Sequence, residues 1–207
     1  MTELGVFLGG EGPNELGSYT GHPAYFDERQ PGVIAALLRR VEPSGWRVVG
    51  AMKWAEIRKY RAYGPSPNEA RNVRALILRA QDAKADVLAF TRDSDGDQTR
   101  VRDIEEAIAE YDASGRKPKL IGGVAIPLLE AWLLALDGEF GTEQLSKKGA
   151  QDRFENKHHF AKVTEKVVAY VERADLNRIP SDALRLARWI ASARAILPVD
   201  VPGPSTD

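Results

Sequence analysis

Acidic residues gather at three points of this sequence, each directly after a short apolar run. GGEGPNE sets Glu11 and Glu15 behind LGVFLGG, TRDSDGDQT sets Asp93, Asp95 and Asp97 behind DVLAF, and IPLLEAW sets Glu130 behind KLIGGVAI. Carboxylates packed together raise the cost of ionising one another, and a divalent cation removes that conflict. Hard oxygen donors favour Mg²⁺, with Mn²⁺ as an easy substitute, and phosphate oxygens commonly complete such a shell. If the segment after DVLAF is extended, alternation sends Asp93, Asp95 and Asp97 to one side. Gly96 is free to bend the chain before Asp97, so Asp93 and Asp95 are the stronger pair.

Simpler roles compete at each point. Asp-Ser-Asp-Gly-Asp has the composition of a solvated turn, and Glu15 and Glu130 suit the first turn of a helix, where the dipole favours acids. A calcium loop of the EF-hand kind also begins D-x-D-x-D, but it needs glycine sixth and glutamate twelfth. Those positions hold Gln98 and Ile104, which excludes it.

The elements that must position these acids follow from apolar patterning. LGVFLGG (4–10) reads as a strand, and 11–32 as a long loop rich in turn formers. VIAALLRRV has helical spacing after Gly32, and PSGWRVVGAM supplies a break and a second strand. NEARNVRALILRAQDA reads as a helix with Val73, Leu76, Ile77 and Ala80 on one face, followed by a third strand, ADVLAF (85–90). TRVRDIEEAIAEYDASG (99–115) is helical, with Gly115 as its stop. KLIGGVAI is a fourth strand, and Pro127 stands where a first helical residue would, ahead of LLEAWLLAL. Strand and helix alternate over residues 4–137, which predicts an α/β fold with a mainly parallel, Rossmann-like sheet covered on both faces. Beyond Gly138 the strand signal ends. NKHHFAKVTEKVVAYVERA and SDALRLARWIASARAIL read as two amphipathic helices. The expected organisation is thus an α/β domain over 1–137, a helical extension packed on it over 138–197, and a flexible tail over 198–207. In an open parallel sheet, chemistry collects beyond the carboxyl ends of the strands, and all three acidic points have that address.

The 207 residues, 43% hydrophobic and 29% charged, suffice for one such domain with its appendage. Lys and Arg number 29 against 30 Asp and Glu, a formal net charge of -1, so electrostatic recognition must be local. The lack of cysteine excludes disulfides and thiolate metal sites and fits a reducing interior. Acids in the first residues do not fit a secretory leader, and no stretch approaches the ~20 apolar residues of a membrane helix. A cytoplasmic protein is expected.

VLAFTRDSDGD invites comparison with the haloacid dehalogenase superfamily, but there the motif opens the fold and carries threonine where Asp97 stands. The chain more closely resembles a Toprim domain, the metal-binding α/β module of topoisomerases, bacterial primases and nucleases of the overcoming-lysogenization-defect (OLD) type. That family carries a glutamate after its first strand, matched by Glu11, and a D-x-D after a later one, matched by Asp93 and Asp95. EGPNE resembles the EGxxE start of small single-domain Toprim-like proteins, and IPLLEAWLLALDG resembles their acid- and Trp-bearing helix. The likeness covers roughly residues 4–137. The long stretch after Glu15 departs from it, and no G-x-x-x-x-G-K-[ST] loop is present, so no ATPase is fused here.

The resemblance implies metal-dependent phosphodiester cleavage, with Glu11, Asp93 and Asp95 as primary ligands and Glu15, Asp97 and Glu130 serving a second site or orienting water. It also implies an association with a separate ATPase or with defence against phage. In two-metal sites, one cation activates the attacking water and the other stabilises the leaving oxygen. A basic side chain near the scissile phosphate would hold its charge, and Arg92 is nearest in sequence. Residues 53–74 hold Lys53, Arg58, Lys59, Arg61, Arg71 and Arg74 against Glu56 and Glu69, a local balance of +4, interleaved with Trp54, Tyr60 and Tyr63. Such a mixture can follow a nucleic-acid backbone and stack on bases, or form a solvated helix face. Lys147 and Lys148 open a second basic stretch. Adjacent His158 and His159 would point about 100° apart on a helix and are not expected as ligands. The leading expectation is a Mg²⁺-dependent nuclease. The alternatives are a non-catalytic module binding nucleic acid or a protein partner, and a small-molecule phosphohydrolase.

Overall fold

Four parallel strands form the sheet: β1 (Leu4–Gly10), β2 (Trp46–Lys53), β3 (Val87–Asp93) and β4 (Lys119–Ala125), in the order β2-β1-β3-β4. This arrangement comes from a computed structural model, which describes residues 3–20, 26–57, 69–160 and 163–197. The central strands β1 and β3 are apolar on both faces, as strands buried between two helical layers must be. Val6, Leu8, Val87, Ala89, Ile121 and Ala125 face one layer, and Phe7, Leu88, Phe90, Leu120 and Val124 face the other.

The first layer contains α2 (Val33–Val41), α6 (Leu129–Leu136), α7 (Lys147–His158), α8 (Thr164–Arg173) and α9 (Leu184–Ile196). The second contains the short α3 (Trp54–Ile57), α4 (Glu69–Asp82) and α5 (Gln98–Ala113). The C-terminal helices therefore share a core with the sheet, α8 packing on α2 and α9 on β4. Among the described residues, no helix is long and apolar enough to cross a membrane.

Several boundaries differ from the sequence reading. β3 runs past Phe90 to Asp93, because β4 continues to pair with it as far as Asp93↔Ala125, whereas its pairing with β1 ends at Gly9↔Phe90. Two indoles serve carbonyls near this one-sided end: Trp54 Nε1 donates to Thr91 O (2.7 Å) and Trp189 Nε1 to Phe90 O (3.1 Å). α6 begins at Leu129 rather than Pro127. The expected helix over 156–174 is instead the end of α7 and all of α8. His159 breaks it by taking a left-handed conformation, φ 56°, which ends a helix. The loop after β1 contains one turn of helix, α1 (Pro13–Leu16). The proposed tail, 198–207, lies outside the described residues.

Candidate metal centre

The sheet order reverses direction between β1 and β3: β2 lies beyond β1, and β4 beyond β3. Connections leaving these two strands diverge, which opens a crevice at their carboxyl ends. Glu11 is the first residue after β1, and Asp93 is the last of β3. Glu11 Oε1 accepts the Asp93 N–H at 3.2 Å. Asp93 Oδ1 in turn accepts the Leu129 N–H at 2.8 Å, tying β3 to the start of α6, one residue before Glu130.

Glu15 reaches the same crevice from α1. Its Oε2 accepts the Gly12 N–H at 3.0 Å, which closes the tight turn after β1, and the residue is only 7% exposed. Gly10 permits this, since a Cβ there would stand 2.7 Å from Glu15 Cβ.

The electrostatics identify Glu11, Glu15, Asp93 and Glu130 as one group. Burial, and then the charges of Glu11, Glu15 and Glu130, push Asp93 up to about 8. Burial, and secondarily Glu11 and Glu130, push Glu15 up to about 7. Burial also raises Glu130. Asp93, Glu15 and Glu130 form no ion pair among the described residues.

The other acids at this edge are neutralised by the protein itself. Arg92, whose side chain is 7% exposed, contacts Glu11 and lies 3.3 Å from Glu69 Oε1. Its guanidinium covers the Trp54 ring at 5.4 Å. Arg100 reaches Asp95 (2.8 Å), Glu69 (3.4 Å) and the carbonyl of Asp93 (2.8 Å). Lys147, the first residue of α7, holds the remaining oxygen of Asp95 at 2.7 Å. Among the described residues, the ion pairs at this edge engage Glu11, Glu69 and Asp95 with Arg92, Arg100 and Lys147 and leave Glu15, Asp93 and Glu130 outside them.

No family model matches this chain, and no curated protein or solved structure matches it.

The three aspartates of TRDSDGD do not share a side. Asp95 and Gly96 both adopt positive φ, 52° and 81°, so the chain turns back after Asp93 instead of staying extended. Asp93 enters the carboxylate group, and Asp95 faces Arg100 and Lys147. Asp97 caps α5, accepting the N–H groups of Thr99 (2.9 Å) and Arg100 (3.2 Å). Of the six acids expected at the site, Glu11, Glu15, Asp93 and Glu130 come together, Asp95 borders them, and Asp97 is engaged as a helix cap.

Among the expected basic residues, Arg92 is buried as a counter-ion rather than presented to substrate. Lys53 ends β2 opposite Gly10, at the same edge as the acids. Lys148 is exposed on α7. Arg58, Lys59 and Arg61 lie outside the described residues. His158 is held by Asp137 (2.9 Å) and packed among Phe154, Phe160 and Tyr170. Nothing in the spacing singles out Glu69, which reads as an ordinary first-turn acid of α4, or Arg100, which is separated from Glu69 by a whole helix and strand.

The described residues contain no group of three or more Asp, Glu, His or Cys side chains arranged to hold a metal ion. Two of the expected ligands, Glu11 and Asp95, are turned onto arginine and lysine. The chemistry of the donor set nonetheless fits a hard divalent cation. The donors are all carboxylate oxygens, and two of them, the buried Glu15 and the half-buried Asp93, form no ion pair among the described residues, a costly arrangement for ionised groups.

Proposed function

We propose that this protein is a Mg²⁺-dependent nuclease of the Toprim type, cleaving phosphodiester bonds of nucleic acid. The observation that carries the reading is the meeting of Glu11 and Asp93 at the point where the sheet order reverses, with Glu15 and Glu130 in the same crevice. The order of these acids along the chain, each after its own strand, supports the finer Toprim assignment over a generic parallel α/β fold.

Glu11 and Asp93 would hold the cation, with Asp95 bordering them. Bound Mg²⁺ supplies Lewis-acid stabilisation of charge on phosphoryl oxygens and lowers the pKa of water. Glu15, buried in the same crevice, would accept a proton from the attacking water. Arg100 and Lys147, which pair with Asp95 at the border of the site, and Lys53 at the end of β2 would hold the phosphate. Leu129 N–H fixes Asp93, and Gly12 N–H fixes Glu15, so neither must be ordered at the moment of reaction.

The pairing of Glu11 and Asp95 with protein cations favours one second reading: a module that keeps the fold and binds nucleic acid or a protein partner without cleavage. Plasmid nicking and single-strand cleavage, measured against Mg²⁺ and Mn²⁺ concentration, separate the two. The nuclease reading expects cleavage that requires metal and is lost in Glu11→Ala and Asp93→Ala. DNA or RNA binding without cleavage in any metal would establish the module, and turnover confined to small phosphate esters would establish a phosphohydrolase.

A further inference from the structure

Arg92 lies between two carboxylates with different surroundings. Glu11 belongs to the crevice at the β1–β3 edge. Glu69 stands at the start of α4, is also bonded by Asn72 Nδ2 (2.7 Å) and lies 3.4 Å from Arg100. The guanidinium contacts the first and is 3.3 Å from the second. Its position is bounded by Trp54, whose own indole is anchored to Thr91 O. The Arg92 Nε is buried with no acceptor among the described residues, so the guanidinium is not fully satisfied where it rests.

A buried cation with one carboxylate partner resists any change that removes that partner, because an unpaired buried charge is costly. A buried cation with two partners does not: when one is taken away, the other remains within reach. We infer that Arg92 is a built-in competitor of the divalent cation, occupying Glu11 in the metal-free protein and passing to Glu69 when the cation binds. Glu69 is then a positioning residue that sets metal affinity without touching the metal. The exchange breaks no covalent bond. It also accounts for the absence of a preformed three-acid cage among the described residues, since Glu11 is held by the guanidinium until a cation displaces it.

This inference rests on the metal-site reading above, and direct Mn²⁺ binding tests the two separately. Mn²⁺ is titrated into wild type, Arg92→Gln, Glu69→Gln and the double variant, following free Mn²⁺ by electron paramagnetic resonance and heat by calorimetry. Thermal melts confirm folding. An opposite charge at contact distance commonly biases a carboxylate by a factor of about 10 or more, so Arg92→Gln should tighten Mn²⁺ binding about tenfold. Glu69→Gln leaves Arg92 with Glu11 alone and should weaken binding about tenfold. In the double variant the Glu69 effect should vanish, because its intermediary is gone.

Unchanged or weaker binding in Arg92→Gln would make Arg92 a strut for Glu11 and overturn the inference. A Glu69 effect that persists undiminished in the Arg92→Gln background would show long-range charge rather than exchange, and would overturn it as well. Should Arg92→Gln fail to fold, Arg92→Lys replaces it: its single ammonium cannot bridge both acids, so the Glu69→Gln effect should again be lost. Wild type that binds no Mn²⁺, indistinguishable from Glu11→Gln, would remove the metal site itself, a failure distinct from the others.

Discussion

Replacing Asp93 with asparagine should stabilise the metal-free protein while abolishing its response to metal. Asparagine keeps an oxygen for the Leu129 N–H bond and removes one charge from a crowded, buried group. In the unfolded chain the carboxyl ionises at about 3.8, whereas in the folded protein it holds its proton up to about 8. Between those values the folded state binds the extra proton, so stability falls as pH rises from about 4 to 8 and levels off above. At about 1.4 kcal/mol per pH unit, the full cost of ionising Asp93 approaches ~6 kcal/mol. Glu15, near 7, shares the pocket and part of that cost, so about 3 kcal/mol is the expected gain for Asp93→Asn at pH 9. Urea unfolding in the presence of a chelator, from pH 4 to pH 9, measures it: the variant and wild type should coincide at the acid end and diverge towards a plateau. Added Mg²⁺ should then raise wild type and leave the variant unmoved. A difference independent of pH, or a variant less stable than wild type at pH 9, would refute the reasoning.

Asp97→Ala removes the α5 cap and should cost about 1 kcal/mol in urea unfolding, with Mn²⁺ affinity held within about twofold by calorimetry. Gly10→Ala would drive a methyl into Glu15 and to within 3.1 Å of the Leu16 side chain; displacement of α1 should cost about 1–3 kcal/mol in thermal unfolding and weaken Mn²⁺ binding, because Glu15 moves with it. Trp189→Phe leaves the Phe90 carbonyl without its indole donor and opens space beside Gly123, so a loss of about 2 kcal/mol is expected by chemical denaturation, with metal affinity unchanged in the folded fraction.

The strands were legible where apolar runs stood between turn formers, as in LGVFLGG and KLIGGVAI. The end of β3 was not, because Thr91, Arg92 and Asp93 are polar. They stay in the sheet through pairing with β4 on one side and through ion pairs that bury Arg92. The break between α7 and α8 was hidden in a run of polar residues that helices tolerate, and only the left-handed turn at His159 reveals it. Acids at strand ends drew attention to Glu11, Asp93 and Glu130, which lie at one edge of the sheet. Their convergence depends on strand order, which no local pattern encodes. The divergence of Asp95 and Asp97 from Asp93 arises at the positive-φ pair Asp95–Gly96, where a glycine signal was visible but the preceding aspartate's left-handed turn was not. Glu69 and Arg100 escaped because a salt-bridge network joins residues by space alone.

One consequence of α9 concerns how the chain is made. Residues 184–196 cover β4, and Trp189 reaches a carbonyl of the central strand, 99 positions earlier in sequence. While a ribosome is still translating the segment before Leu184, a sheet already clear of the exit tunnel would lack the cover that α9 gives to β4. Interruption of translation there would yield a sticky nascent product, so C-terminal truncations reaching into α9 should behave as aggregating chains rather than as smaller folded proteins.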